Sequence, residues 1–533
     1  MLLSFLAASA LVAPSMVNAA SSIGLPPSLP KYSKPLNKDL IGLSIEMDRW
    51  TSWAGDAIGK PNPFVNQVLS NLASLTGTAV PFRVGANSED RGILELDKQV
   101  SNVTFPAATP LVPYPEAEHI GIGRDFYGLS ANLPDGTPFT WGINLRVNNE
   151  TETVGQAAQL VSLDLNQYKG CFSHFLPPRN LQYDTFYGSK KQQLSKVKLK
   201  LIEIGNETLN FAPVQIDYYN NPRLRRFYPG YDVFAYTKQW ADFGGKVVDL
   251  FAKEQSPPKL QIGAYVDYPV FLWNFVSTFG TGVRDTKAGQ HLENFNTHNY
   301  QGVFLNNATV DPKSGALMDR SATRTAMARH AQQASQSREI GLEYILGEAN
   351  SFANHGVPGV SNSAEAAIWL LDWALNGAAN GVARMFFHEG IGFEYNLIQP
   401  VPVTGKKNRP TIQAPYYGAV MVNEAIAILQ TYAAYGIYEG ERLARVAVIN
   451  SQLYLPGMNR TAEAVNIQNY AGDKKASIKR FTPPSANATE GLNWAGVSYE
   501  TADGKPTGQV VESWLNGTSF TMQPTEAVLI CFK

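Results

Sequence analysis

The sequence predicts an α/β protein, a (β/α)8 TIM barrel followed by an antiparallel β-sandwich domain. Three observations predict it. Eight short apolar runs alternate with helix-like segments through most of the chain. From Leu443 onward the pattern changes to short alternating runs separated by turn residues. The 533 residues also exceed what one compact core organises, which makes two domains the expectation.

The eight runs are Leu40–Ile45, Val80–Val84, Thr140–Arg146, Leu199–Ile204, Leu260–Val266, Leu292–Thr297, Leu342–Leu346 and Ala383–Phe387. Several are apolar almost throughout, as strands buried on both faces must be. Between them, Phe64, Val68, Leu72 and Leu75 recur at helical spacing. Ser363 is placed to cap a helix whose apolar face includes Ala367, Ile368, Leu371 and Leu375. Tyr416 to Tyr435 supplies the helix after the eighth strand. Alternating βα units of this number close into a barrel, and the loops after its strands carry the site. The longest insertions follow the second, third and fourth strands, so they shape the cleft.

The C-terminal runs are Leu443–Ile449, Ala464–Gln468, Ser477–Phe481, Ala495–Glu500, Val510–Trp514 and Ala527–Phe532, with Asn516-Gly517 as a hairpin turn. The expected division is a leader at 1–20, an extended segment at 21–37 that contains Pro26 to Pro35, the barrel at 38–435 and the sandwich at 440–533.

Composition excludes several classes of function. Apolar residues at 44% and charged residues at 17% describe a globular chain. A net charge of −1 provides no field for nucleic acid. The basic cluster Arg223, Arg225 and Arg226 is read as a solvated loop or as a contact for an acidic substrate. Leu2 to Val12, followed by Val17-Asn18-Ala19, reads as a secretory signal peptide, too short to span a bilayer. No other stretch is long and apolar enough to span, so a secreted, extracellular protein with no membrane partner is expected. Sequons at Asn102, Asn149, Asn307, Asn459, Asn487 and Asn516 agree with N-glycosylation. A seventh, at Asn206, falls in the candidate site and is expected to stay bare. Export leaves a Cys171–Cys531 disulfide open without requiring it. The seven histidines are scattered and no metal motif occurs, so neither metal nor cofactor is expected.

Two segments carry chemistry. Leu201-Ile202-Glu203-Ile204-Gly205-Asn206-Glu207 and Tyr344-Ile345-Leu346-Gly347-Glu348-Ala349-Asn350 are each an apolar strand ending in glycine and then glutamate. They are the fourth and seventh strands, so both carboxyls point into the mouth of the barrel. A lone glutamate at a strand end is ordinarily a surface residue. A pair in this order suits glycosidic cleavage, which needs an acid at the leaving oxygen and a second carboxylate at the anomeric carbon, about 5–5.5 Å apart for retention.

On these residues the chain resembles the retaining barrel glycosidases. "IEIGNE", "NTHNY" and "LGEANS" are similar to glycoside hydrolase family 79, the β-glucuronidase and heparanase family, and "IGLSIEMDRW" and "HIGIGRDFYG" agree. The resemblance covers nearly the whole mature chain. It implies a barrel with a C-terminal β-domain, to which Ser22–Tyr32 adds a strand. It implies Glu207 as general acid/base and Glu348 as nucleophile. Asn206 would hydrogen-bond the sugar 2-hydroxyl. Tyr300, two residues after His298, would hold the nucleophile's oxygen, and His298 joins the supporting set. Glu46 would take sugar hydroxyls, and His388 and Tyr395 would line the subsite. Arg83, on the second strand, is placed to hold Glu348 ionised. Plainer alternatives stay open: Tyr300 and Tyr395 as core aromatics, Glu46 paired with Arg49, His388 as a satisfied buried histidine, Arg83 as purely structural.

One stretch departs from the family. Ala353 stands where a tyrosine is expected and His355 where a glycine is expected, in the turn that would grip a substrate carboxylate. The resulting expectation is an exo-acting β-glucuronidase, 4-O-methylglucuronate included, with glucuronide or oligosaccharide as partner. The rivals are a same-clan β-glycosidase for a neutral sugar, an endo-acting heparanase-like enzyme and a non-catalytic carbohydrate-binding protein.

Overall fold

The structure, a computed structural model, describes residues 21–24, 36–109, 112–162, 197–211, 230–251, 257–266, 273–426, 435–439, 442–468, 475–515 and 517–532. The proposed leader, most of the Pro-rich segment, Cys171 and the Arg223–Arg226 cluster lie outside the described residues.

Eight parallel strands close into a barrel in chain order: Ile41–Glu46, Phe82–Gly85, Pro138–Ile143, Lys198–Ile204, Lys259–Val266, Leu292–Val303, Glu343–Ala353 and Arg384–Glu389. The eighth pairs with the first through Met385–Ile41 to Glu389–Ile45, which closes the ring. All eight coincide with the apolar runs of the sequence. The sixth and seventh run well past their expected ends, which carries Tyr300 and Glu348 to the mouth.

Local chemistry accounts for the helices. Asn62 accepts from the Phe64 and Val65 amides, Pro63 supplies a preset φ, and Gly77 ends the helix Pro63–Thr76 at φ 69°, where a side chain would be strained. Ser363 does sit at the N-cap of Ala364–Ala379, but its Oγ donates back to the Val360 carbonyl and does not cap. One expected unit is missing. Between the second and third strands the described residues contain 3-10 turns and a three-stranded sheet (Gly92–Leu94, Ser101–Thr104, His119–Ile122), but no α-helix. That insertion is fastened by aromatic packing. Trp141 meets Tyr127 edge-on at 4.9 Å, and Trp50 Nε1 donates to the Phe126 carbonyl.

The C-terminal residues form two sheets. One orders Tyr435–Glu439, Arg442–Asn450, Glu526–Phe532, Ala476–Phe481 and Ser513–Leu515; the other joins Ser21–Gly24, Glu463–Gln468 and Ser519–Met522. Val446, Val448, Ile478 and Ile530 of the first share a core with Val465, Ile467, Phe520 and Met522 of the second, which makes a sandwich. The expected N-terminal strand is present over Ser21–Gly24, parallel to Glu463–Gln468.

Three details differ from the sequence reading. Tyr435, read as the end of the last barrel helix, opens a sandwich strand; its hydroxyl reaches back to the Asp372 carbonyl on a barrel helix. The described part of that last helix is Pro415–Ile426. The run Ala495–Glu500 forms only isolated bridges, because its aromatic residue faces the barrel: Tyr499 packs 5.4 Å from Tyr416 and 5.8 Å from Tyr417. Of Val510–Trp514 only the end is strand, and Val510 and Val511 are exposed. The Tyr417 hydroxyl donating to the Leu492 carbonyl and Asn71 Nδ2 donating to the Gly504 carbonyl tie sandwich to barrel.

Candidate active site

In a barrel strand every second residue faces inward. The sequence places polar residues on that phase at the C-terminal ends: Ser44 and Glu46, Arg83, Glu203, Asn296, His298 and Tyr300, then Glu348. All are buried or nearly so, and they meet in one cluster.

Glu348 lies at its centre. Tyr300 donates to Oε1 at 2.7 Å, and Arg83 Nη1 donates to Oε2 at 3.0 Å. His388 Nδ1 and His298 Nδ1 stand 3.7 and 3.9 Å from Oε2. Burial opposes ionisation of this carboxyl, but His388, His298, Arg83 and the Tyr300 hydrogen bond outweigh it and hold it down at about 2. Burial in turn pushes the Tyr300 phenol up, with Glu348 adding to the effect, so the phenol stays a donor. Burial also works against charge on His388, but Glu348 and Glu46 prevail and raise it to about 9. The positive ring therefore belongs to the site at neutral pH.

Glu207 sits across the mouth. Its Oε1 is 3.0 Å from His298 Nδ1, and its backbone N–H donates to the Ala264 carbonyl at 2.9 Å. The residue has φ 42°, the left-handed region, after Gly205 at φ 85°. A non-glycine there is strained by about 1–3 kcal/mol, and the turn aims the carboxyl inward. One oxygen of Glu207 and one of Glu348 lie within 4.8 Å. That matches the short spacing of retaining pairs and not the roughly 6.5–9.5 Å that leaves room for a water.

The remaining expected residues converge as well. Arg83 Nη2 donates to Asn206 Oδ1 at 2.6 Å, and Asn206 is buried, as a bare sequon must be. Glu46 is not paired with Arg49; its Oε2 accepts from the Ser88 amide at 3.0 Å, and its Oε1 is paired with His388 Nε2 at 3.3 Å. Tyr395 is buried beside Tyr300, ring centroids 6.1 Å apart, and Asn350 Nδ2 holds its carbonyl at 3.3 Å. In the departing turn, Asn354, His355 and Gly356 are all left-handed, at φ 63°, 71° and 82°. The His355 ring stacks on Phe393 at 3.8 Å, with Nε2 3.7 Å from Glu116.

Sequence reasoning passed over Ser44, Ser88, Asn296, Asn350 and Glu116. The inward phase of the strands was the signal for the first and third. The other three sit on loops or are fixed by tertiary contacts, with no local pattern to mark them.

Glu207, His298 and Glu348 each offer a ligand atom within 4.8 Å of the others, which is a possible metal spacing. Arg83 and His388 already set positive charge against Glu348, so the cluster fits proton and nucleophile chemistry better than a cation. Replacing Tyr300 by Phe removes a hydrogen bond to an ion, worth about 1.5–3 kcal/mol. Turnover of an aryl glycoside should fall about tenfold to 150-fold, with the far-ultraviolet spectrum of the fold unchanged.

A family model described as the glycosyl hydrolase family 79 C-terminal β domain matches residues 434–529, the sandwich just described. A β-glucuronidase of Aspergillus niger is 29% identical over 92% of this chain and 88% of its own length. Residues 434–529 thus carry the family 79 C-terminal β domain. A Neurospora crassa β-glucuronidase is 26% identical over 92% of the chain and 90% of its own length. Among solved structures, a 4-O-α-L-rhamnosyl-β-D-glucuronidase of Fusarium oxysporum superposes with a TM-score of 0.74 at 21% identity, covering 96% of this chain and all of that one. A family 51 α-L-arabinofuranosidase of Bifidobacterium longum superposes at 0.56 and 15% identity, covering 96% of this chain and 99% of its own. These two report the barrel-and-sandwich fold. The chain is a glycoside hydrolase.

Proposed function

We propose that this protein is a retaining exo-β-glucuronidase of family 79 in which Glu348 is the nucleophile and Glu207 the acid/base. The observation that carries the reading is the pair itself: two carboxyl oxygens within 4.8 Å, one of them held ionised at about 2.

In the first step a Glu348 oxygen bonds to the anomeric carbon as the glycosidic C–O bond breaks. The Glu207 proton passes to the departing oxygen. In the second, Glu207 takes a proton from water, the water oxygen bonds to the anomeric carbon, and the bond to Glu348 breaks. Two inversions leave the β-configuration. Tyr300, Arg83 and the two histidines keep Glu348 anionic and aimed, and Asn206 faces the 2-hydroxyl. The two fungal relatives named as β-glucuronidases support glucuronate as the sugar.

A neutral-sugar reading is favoured by one feature, Ala353 and His355 at positions where the resemblance leads to an expected tyrosine and glycine. Hydrolysis of 4-nitrophenyl β-glucuronide, β-glucoside and β-xyloside separates the two. The glucuronide should be preferred by at least tenfold in kcat/KM, and preference for either neutral sugar would overturn the assignment of the substrate. We also propose export with N-glycans. Asn102, Asn149, Asn307, Asn459 and Asn487 are exposed, whereas Asn516 lies outside the described residues. Protein recovered from the medium should lose mass on treatment with an N-glycanase.

A further inference from the structure

We infer that Glu203 is a positioning residue that sets the two catalytic carboxylates relative to each other; this rests on the roles proposed for Glu207 and Glu348. Glu203 occupies the inward phase of the fourth strand, four residues before Glu207, and is 1% exposed. Its Oε1 accepts from Arg83 Nε at 2.8 Å, and the same guanidinium holds Asn206 and Glu348. Its Oε2 accepts from Gln261 Nε2 and from Asn296 Nδ2, the latter at 2.7 Å. Asn296 Oδ1 in turn accepts from the Gly347 amide at 2.6 Å, one residue before Glu348. Glu203 thus reaches the nucleophile by two routes, through the guanidinium to its side chain and through Asn296 to its backbone. One route also reaches Asn206, the neighbour of the acid/base.

Hydrogen-bond polarity fixes the residue type. The Gly347 N–H requires Oδ1 of Asn296 on its side, so Nδ2 must face Glu203. Position 203 therefore needs an acceptor on that side and a second on the Arg83 side, which a carboxylate provides and an amide does not. The fit is close at the far end as well. A Cβ on Gly347 would stand 2.2 Å from Asn296 Nδ2, so only glycine lets the amide approach. Glu89, beside the same network, is pushed well up by burial and by the Glu203 charge.

The test is a polarity swap. Glu203→Gln sets a donor against Asn296 Nδ2. It should lower kcat for an aryl β-glycoside about 100-fold, the penalty of a misplaced reacting group, with KM within about threefold, because Glu46, His388 and Tyr395 are untouched. Glu203→Gln/Asn296→Asp restores complementarity. The amide introduced on the fourth strand can donate to one oxygen of the carboxylate introduced on the sixth, while the other oxygen accepts from the Gly347 N–H. The double variant should regain at least tenfold of the lost kcat. Should Glu203→Gln not fold, the double variant is compared with Asn296→Asp alone, which sets two carboxylates face to face and should be the slower. A kcat for Glu203→Gln within threefold of the native value, a loss carried mainly by KM, or a double variant no faster than its single parent would overturn the inference. The native chain with the same substrate, and Glu348→Ala with azide, serve as controls. If Glu348→Ala gives no glycosyl azide, the catalytic reading itself has failed; if it does while the swap fails, only Glu203 is removed.

Discussion

Glu348→Ala is expected to lose turnover on every substrate, and azide should then restore product with the α-configuration. The nucleophile's carboxylate occupies the face of the sugar opposite the aglycone, and azide would enter the space that it vacates. Glu207→Ala should behave differently. With a dinitrophenyl leaving group the first step needs little protonation, so the glycosyl-enzyme should form and accumulate. Its hydrolysis should slow by roughly 10²–10⁴ for want of a base. Azide needs no base and should release a β-glycosyl azide from that intermediate. The anomer of the azide product, read by NMR, assigns each residue. Opposite anomers would reverse the two roles, and no rescue in either folded variant would remove both residues from the mechanism.

Arg83→Met should be the most destabilising single change at the site. Arg83 is fully buried against Glu203 and Glu348, at 2.6 and 3.0 Å. Removing one partner of a buried ion pair leaves uncompensated charge and costs about 3–5 kcal/mol. Its pH dependence follows from Glu348, whose folded value is depressed to about 2 from an ordinary 4.5. A depressed carboxyl contributes stability that is fully present above about pH 4.5 and is lost as pH falls through 2. The variant lacks the share of that contribution that Arg83 supplies, while those of His388 and His298 remain. The gap in urea-unfolding free energy between native and variant should therefore be large at neutral pH and narrow as pH falls below 4.5. A gap under about 1 kcal/mol at neutral pH, where buried pairs give several times that, or one independent of pH, would make Arg83 a filler and not a counter-ion.

Much of this was legible in the sequence because the barrel repeats one physical demand. A strand buried on both faces must be apolar, so the eight runs stood out and their count gave the fold. The two glutamates were visible because each breaks such a run just after a glycine. The network beneath them was harder to see. Glu203 is a single polar residue in the apolar end of its strand and Asn296 is one of several polar residues in its own, and their meaning depends on partners from other strands, which no local window contains. The sandwich was read less well at its edges. Ala495–Glu500 alternates like a strand, yet it spends its aromatic residue on the barrel helix through Tyr499, and tertiary packing overrode the pattern. Tyr435 failed in the opposite sense. A hydrophobic residue continuing a helical run was claimed by a strand whose next neighbour, Arg442–Asn450, lies just downstream.

Double displacement by a carboxylate pair at retaining distance fixes the anomer that is released first. Proton NMR of an aryl β-glucuronide during the first minutes of hydrolysis tests it most directly, before mutarotation mixes the anomers. The β-anomer of the free sugar should appear first, with the α-anomer growing in only at the mutarotation rate. First appearance of the α-anomer would contradict the account, since a single inversion would require a water between Glu207 and Glu348, where the structure brings their oxygens within 4.8 Å.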